Sequence, residues 1–172
     1  GTLWGWGLNT YGQLGDGTNV KKNNPVQIGS ATNWSSVNAC LAYSLAIKTD
    51  GTLWAWGLNN NSQLGDGTNT NSNIPIKIGT DTDWKEITGG TYHSLALKTN
   101  GTLWGWGYGG PDDFLLGSGF PSIVPVQRGT DTDWAAISGD RSHTLAIKTD
   151  GTLWGWGSNL FGQLGNGTIS GS

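Results

Sequence analysis

The sequence contains the ten-residue stretch Lys98-Thr99-Asn100-Gly101-Thr102-Leu103-Trp104-Gly105-Trp106-Gly107. Its last seven residues recur as Gly-Thr-Leu-Trp-(Gly/Ala)-Trp-Gly from Gly1, Gly51 and Gly151, so the period is 50 residues without a gap. A fixed period of about 20 to 50 residues is typical of solenoids, propellers and repeat arrays. The spacing therefore predicts a fold of equivalent modules that bury apolar surface against their neighbours.

A turn signal lies at the start of the repeated stretch, as Asn100-Gly101 here and as Asp-Gly in two other modules. Such pairs accept the positive φ that a two-residue hairpin loop requires. Apolar residues alternate with a period of two on both sides of the turn, since Leu95 and Leu97 precede it and Leu103 follows it. We therefore predict a β-hairpin formed by residues 92–99 and 101–106.

Two further landmarks indicate four short strands in each module. Trp34, repeated every 50 residues, marks a strand before the hairpin, and Pro25, repeated likewise, starts a short edge strand over residues 25–28. Four strands with hairpin connections and no helical periodicity favour β-propeller blades over a β-helix, whose repeats are shorter. The predicted fold class is all-β, with antiparallel four-stranded propeller blades.

The same landmarks predict a partial propeller over residues 1–172, with about three complete blades and a half blade. Residues 1–33 are expected to form a trailing half blade, residues 34–83 and 84–133 one blade each, and residues 134–172 a blade that is incomplete at its end. Both ends carry the same half of the module, so the ring does not close. We expect a fragment of a longer repeat protein, or a subunit that self-associates through its unmatched half blades, because open strand edges pair with other strands.

The tryptophans and histidines occupy fixed repeat positions. All eleven Trp residues fall on three such positions, which favours packing between blades over ligand stacking or light absorption. His93 and His143 share one position, which Tyr43 fills in the first module, so a structural role is favoured over acid–base catalysis. Besides these histidines, the structural positions in the repeated stretch are Trp4, Trp6, Trp54, Trp56, Trp104, Trp106, Trp154 and Trp156.

The side chains that could do chemistry are sparse. Cys40 is the single cysteine and lies in a module without His, so no Cys–His pair is predicted. The loop carboxylates include the pairs Asp81/Asp83 and Asp131/Asp133, which offer oxygen ligands for calcium. The EF-hand spacing is absent, however, and Asx-turns explain Asp in such loops. We expect no enzymatic activity, no catalytic residue, no cofactor and no metal site.

Charge and hydropathy exclude two classes of partner. The net charge is −3 and the sequence pI is about 5.1, whereas binding to nucleic acid calls for clustered Lys and Arg. No apolar run approaches the length of a membrane-spanning helix. The expected partner is therefore a protein or a glycan, and neither nucleic acid nor a membrane span is predicted.

One loop departs from the repeated pattern. After Trp106-Gly107 the sequence continues through residues 108–119, where the Leu-Gly-x-Gly element comes two residues later than in the other modules. Loops that vary on a fixed scaffold often carry binding, although neutral drift explains such a change equally well. The candidate binding residues are Tyr108, Asp112, Asp113, Phe114 and Phe120.

The repeated pattern resembles a known family. The order His-(Ser/Thr)-Leu-Ala, then Gly-Thr-Leu-Trp-Gly-Trp-Gly, then Gly-Gln-Leu-Gly is similar over essentially the whole chain to the regulator-of-chromosome-condensation repeat. The resemblance implies a propeller of about seven blades with about 50 residues in each. The founding member of this family is a nucleotide-exchange factor for a small GTPase that also binds chromatin, and relatives include a plant UV-B photoreceptor and a bacterial β-lactamase inhibitor.

The functional additions of those relatives are missing from this chain. No wedge-like insertion or basic tail is present, and the only arginines are Arg128 and Arg141, whereas the photoreceptor surrounds its tryptophans with many. Near-identical modules of low charge look more like bacterial secreted or cell-surface repeat arrays, so we expect an extracellular or cell-surface location. The predicted function is a non-enzymatic scaffold that binds a protein or a glycan. The alternatives are a small-GTPase regulator of the nucleotide-exchange type and an assembly subunit that pairs through open blade edges.

Overall fold

The structure, a computed structural model, describes residues 1–108 and 122–171. These residues form thirteen β-strands and no helix, and hence no helix that could cross a membrane. The strands are β1 (Trp4–Gly7), β2 (Lys22–Gln27), β3 (Trp34–Ala39), β4 (Tyr43–Lys48), β5 (Leu53–Gly57), β6 (Ser72–Ile78), β7 (Trp84–Gly89), β8 (His93–Lys98), β9 (Leu103–Gly107), β10 (Ser122–Arg128), β11 (Trp134–Gly139), β12 (His143–Lys148) and β13 (Leu153–Gly157).

The strands form four antiparallel sheets in chain order. Strands β3 to β6 form one four-stranded sheet and β7 to β10 form a second. A three-stranded sheet of β11 to β13 follows them, and β1 pairs with β2 in a two-stranded sheet that precedes them. Each strand pairs with its neighbour in sequence, as expected for propeller blades. The predicted all-β class with antiparallel four-stranded blades is confirmed.

Apolar side chains fill the space between successive blades. The β3–β6 sheet contributes Leu45, Ile47 and Leu53, which pack against Ile87 and Trp106 of the next sheet. The interfaces before and after this one are built from equivalent residues. Because both faces of a central blade are covered, every residue of β8 is buried. The cores therefore lie between the blades, as nearest-neighbour stacking of repeats requires.

The hairpin loop between β8 and β9 differs from the predicted two-residue turn. The Lys98 amide donates to Thr102 O at 3.1 Å, and the Gly101 amide donates to Lys98 O at 3.0 Å, so the loop has three residues. Only Gly101 has a positive φ, of 78°. Asn100 instead accepts hydrogen bonds on Oδ1 from the amide and the hydroxyl of Thr102. The loop is thus a type I turn followed by a left-handed glycine.

The edge strand predicted from Pro25 also begins earlier, since β2 starts at Lys22. The register shifts between the Gly5↔Val26 pair and the Gly7↔Lys22 pair. Pro25 therefore lies at a bulge on the outer strand, where its missing amide hydrogen leaves no ladder bond unmade.

The two end sheets leave apolar faces open. Trp4 and Trp6 in β1 are 49% and 61% exposed, and Leu153 in β13 is 67% exposed. The residues equivalent to Trp6 and Leu153 in the central sheets, Trp106 and Leu53, are fully buried. The difference arises because no blade within the described residues packs on either outward face.

Candidate binding face

Three short turns lie side by side at one end of the blades. They are residues 40–42, 90–92 and 140–142, which connect the first and second strands of three successive sheets. In the first turn the Cys40 amide donates to Tyr43 O at 3.0 Å, and the other two turns close in the same way. The Thr91 amide donates to Arg141 O at 3.3 Å, which joins the second turn to the third.

The residue that follows the third strand of each blade is tied to the same turns. The Leu58 amide donates to Ala42 O at 2.9 Å, and the Tyr108 amide donates to Tyr92 O at 2.8 Å. Ser158 bonds Ser142 O in the last sheet. We call these three turns, together with Leu58, Tyr108 and Ser158, the hairpin face. Tyr108, a predicted binding residue, therefore lies on it.

A cavity of about 300 Å³ opens among the three turns. Its lining includes Gly89, Gly90 and Gly139 together with Cys40 and Arg141. Burial raises the pKa of the Cys40 thiol to about 12, so this group stays protonated and is a poor nucleophile. The cavity is a concave surface at this end of the blades.

Exposed apolar side chains lie on the hairpin face, and one of them, Leu41, lines the cavity. Leu41 is 62% exposed, Tyr92 is 47% exposed and Tyr108 is 42% exposed. Asp140 and Arg141 add one charge of each sign at the same end of the molecule, and both are exposed. Apolar and aromatic anchors with a charged rim are the usual composition of a binding surface.

The hairpin face rests on a buried polar network between blades. The Tyr43 hydroxyl donates to His93 O at 2.5 Å, and Ser94 Oγ lies 3.0 Å from the same hydroxyl. Ser94 Oγ also donates to Gln63 O at 2.7 Å. Tyr43, His93 and Ser94 are buried. These bonds fix the first two turns relative to each other, which pre-organises the surface above them.

His93 and His143 occupy equivalent positions at the start of β8 and β12. His93 is only 3% exposed, and burial lowers its pKa to about 4. His93 is therefore neutral near pH 7. His143 is half-buried in the last sheet. A neutral, enclosed imidazole is the state expected of a packing residue, and the structural role of these histidines stays a prediction.

The sequence did not predict the role of an asparagine that recurs in the polar loop after the third strand. Asn59 is fully buried, and its Nδ2 lies 3.0 Å from Asp66 Oδ1 and 3.1 Å from both Thr68 O and Thr70 O. Its Oδ1 accepts from the Leu64 amide at 2.9 Å. This one side chain holds the polar loop after β5 in shape. The signal was present, because equivalent residues recur at the same period with the same bonds, namely Asn9 and Asn159.

The pairs Asp81/Asp83 and Asp131/Asp133 form ion pairs with lysines. Lys98 Nζ lies 2.6 Å from Asp81 Oδ2 and 3.0 Å from Asp83 Oδ1. Lys148 forms the same pair of contacts, at 2.7 and 3.1 Å, with the two aspartates of the next module. The four aspartates thus neutralise the charges of the two lysines.

The other predicted residues are placed as follows. Trp56 and Trp106 are buried between blades, whereas Trp4, Trp6 and Trp154 are exposed because they belong to the end sheets. Further predicted positions in the repeated stretch, Trp54, Trp104 and Trp156, are partly buried. The remaining binding-loop candidates lie outside the described residues, namely Asp112, Asp113, Phe114 and Phe120.

Comparison with known protein families identifies the repeat. The model of the regulator of chromosome condensation (RCC1) repeat matches residues 1–47 and 50–97, and a second model of that repeat matches residues 138–163. The chain belongs to the RCC1 repeat family. A sequence comparison with curated proteins found no match.

Solved structures share this fold over the whole chain. Human WBSCR16 is 26% identical with a TM-score of 0.84, and the aligned region covers 100% of this chain and 47% of that protein. Prp20p from Saccharomyces cerevisiae is 19% identical with a TM-score of 0.82, and the aligned region covers 100% of this chain and 45% of that protein. Yeast RCC1 (Prp20), in a structure with Kap60, is 21% identical with a TM-score of 0.82, covering 100% and 43%. This RCC1-repeat chain therefore spans less than half the length of these proteins.

Proposed function

We propose that this RCC1-repeat chain is a non-enzymatic scaffold that recognises a protein or a glycan through the hairpin face. The supporting observation is where the modules differ. The turns 40–42, 90–92 and 140–142 differ from one another at all three positions, as Cys-Leu-Ala, Gly-Thr-Tyr and Asp-Arg-Ser. The strands that follow them are nearly the same, as Ser-Leu-Ala-Ile-Lys, Ser-Leu-Ala-Leu-Lys and Thr-Leu-Ala-Ile-Lys.

The physical reason for this division lies in packing. The strand residues fill the cores between blades, where a change of even one methylene group affects stability. Several turn residues line a cavity, and Leu41 and Tyr92 of the same turns are exposed to solvent. Side chains on a rigid support lose little additional freedom when a ligand binds, which favours affinity. The scaffold and the recognition surface are thus separate parts of each module.

Relatives with this fold support a protein as one class of partner. The structural study of yeast Prp20p describes its binding to Gsp1p and histones, and yeast RCC1 (Prp20) has been solved with Kap60. We extend only the class of ligand to this chain. A regulator of a small GTPase stays the alternative prediction, and an extracellular or cell-surface bacterial location stays a prediction as well.

Removing the apolar side chains of the hairpin face is expected to abolish recognition. The variant Leu41→Ser/Tyr92→Ser takes away two exposed anchors without touching the cores between blades. A panel of binders is first selected against the wild-type chain from a displayed random-peptide library, and bound glycans are identified on a glycan array. We expect most members of this panel to bind the double variant at least about tenfold more weakly, since each lost anchor removes more than 1 kcal/mol.

The control variant is Ile74→Ser/Ile123→Ser, which removes two exposed aliphatic side chains from the outer strands β6 and β10. Its binding should equal that of the wild type. Loss of binding that is the same in both variants, or unchanged binding in the hairpin-face variant, would contradict the proposal.

A second candidate function is self-association through the end sheets. The outward faces expose Trp6 and Leu153, whose equivalents are fully buried in the central sheets. An apolar face that is built for stacking gains free energy when a blade of the same repeat covers it. We propose that a second copy supplies this blade. Light scattering should show dimers or larger species as concentration rises, and Trp6→Ser/Leu153→Ser should shift them towards the 18.1 kDa monomer. A wild-type chain that stays monomeric at millimolar concentration would refute this candidate.

A further inference from the structure

Three lysines occupy one repeat position at the end of the second strand of three sheets: Lys48, Lys98 and Lys148. Each ammonium lies over two tryptophan rings. In the second of them, Lys98 Nζ is 4.8 Å from the ring centroid of Trp84 and 4.5 Å from that of Trp104. The rings provide a cation–π environment in all three modules.

Two of these lysines have carboxylate partners in the loop that precedes their own sheet. Asp81 and Asp83 lie within 3.0 Å of Lys98 Nζ. Burial alone would lower the pKa of Lys98, but the hydrogen bonds that its ammonium donates to the two carboxylates outweigh burial and leave the pKa above its ordinary value. Lys148 has the equivalent pair. The position is therefore built as a cation held between two rings and two carboxylates.

The first module keeps the cation and the rings but lacks the carboxylates. Ala31 and Asn33 stand where the other modules have Asp. The backbone is unchanged, because Asn33 O accepts from the Thr49 amide at 2.8 Å just as Asp83 O accepts from the Thr99 amide at 2.9 Å. The loss is thus confined to the two acidic groups.

The Lys48 ammonium lies closer to one of its two rings than the Lys98 ammonium does. It lies 3.8 Å from the ring centroid of Trp54, closer than the 4.5 Å between Lys98 and Trp104. Within residues 1–108 and 122–171 no ion pair to its Nζ is present. The neighbouring carboxylate of Asp50 accepts hydrogen bonds from the amide and hydroxyl of Thr52. An ammonium has three donors, which the faces of aromatic rings satisfy only weakly.

We propose that Lys48, flanked by Trp34 and Trp54, binds a carboxylate side chain of an acidic segment of a partner protein. The ligand chemistry follows from the other modules, where the group that meets the lysine is an Asp side chain in an Asp-Thr-Asp sequence. The site is separate from the hairpin face, because Lys48 ends β4 whereas the 40–42 turn precedes its start. The inference therefore stands apart from the proposed function.

The test uses the peptide acetyl-Asp-Thr-Asp-amide as the probe and the indole NH signals of ¹⁵N-labelled tryptophan as the readout. We expect a saturable shift of the Trp54 and Trp34 signals at low ionic strength, which weakens as salt is added. The variant Ala31→Asp/Asn33→Asp restores the internal carboxylates and should weaken probe binding at least about tenfold. The reciprocal variant Asp81→Ala/Asp83→Asn should create a second site, seen as new shifts of Trp84 and Trp104.

Lys48→Met provides a variant that keeps the packing of the aliphatic stem and should lose the response. The peptide acetyl-Asn-Thr-Asn-amide should give no shift, and unchanged Trp106 and Trp156 signals report that each variant is folded. Equal probe affinity in wild type and Ala31→Asp/Asn33→Asp would overturn the proposal. Absence of any wild-type shift, or an equal shift with the Asn peptide, would overturn it as well.

Discussion

The Trp106→Ala variant is expected to lose about 3 to 5 kcal/mol of its free energy of unfolding, the usual cost of deleting a buried Trp side chain. The Trp106 side chain is fully buried between two blades, in a cluster with Tyr43, Leu45 and Trp84. Its indole NH donates to Gln63 O at 2.9 Å, an acceptor from the preceding blade. The substitution therefore leaves a cavity and removes one bond that holds the blades together.

The repeat provides a control for this prediction. Trp6 occupies the same repeat position but is 61% exposed, because no blade precedes its sheet among the described residues. Trp6→Ala should change the free energy of unfolding by no more than about 0.5 kcal/mol, as for most surface substitutions. Urea unfolding is measured at a concentration at which the chain is monomeric. Equal costs for the two variants would show that the Trp residues do not act through packing between blades.

Stability is expected to fall as the pH is lowered from about 6.5 to about 4, and His93 is the residue responsible. Burial lowers the pKa of His93 to about 4, whereas a histidine in the unfolded chain titrates at its ordinary value of 6.5. Between these values the unfolded state binds more protons, so acid favours unfolding. The expected loss is about 1.4 kcal/mol per pH unit, or about 3 kcal/mol over the whole window, with the full stability present above pH 6.5.

The variant His93→Tyr should lose this pH dependence. The first module already carries Tyr43 at the equivalent position, where its hydroxyl reaches His93 O and its ring passes over Gly89. Gly139 stands at the position equivalent to Gly89 in the next sheet, where the Thr88 side chain is its nearest neighbour. Urea unfolding at several pH values gives the slope for each protein. A slope in His93→Tyr that equals the wild-type slope would mean that His93 is not the group that titrates.

The sequence was sufficient to predict the blade architecture. A gapless period, hairpin signals and alternating apolar residues act locally, and each module repeats them. The predicted length of the hairpin loop was wrong because the pair Asn-Gly suits two kinds of turn. The side chain of Asn100 decides between them by bonding Thr102, a choice that the residue pair alone does not reveal.

The candidate site was less accessible to sequence reasoning. The hairpin face depends on which turns become neighbours, and the bond between Thr91 and Arg141 joins residues 50 positions apart. The pairing of Lys98 with Asp81 likewise spans 17 residues, so the sequence interpretation assigned these aspartates to Asx-turns and did not predict their lysine partners. Variation among the turns was visible in the sequence, but its meaning required the cavity that they surround.

The central claim is that the near-identical second and third strands of each sheet build the scaffold while the differing turns recognise the ligand. Its most direct test is a turn-exchange variant in which residues 40–42 and 140–142 both become Gly-Thr-Tyr, the sequence of residues 90–92. The panel of binders selected on the wild type is measured against this variant, with circular dichroism and urea unfolding as the check on folding. We predict a folded, cooperatively unfolding chain that no longer binds most members of the panel. A folded variant that binds the panel as the wild type does would contradict the account.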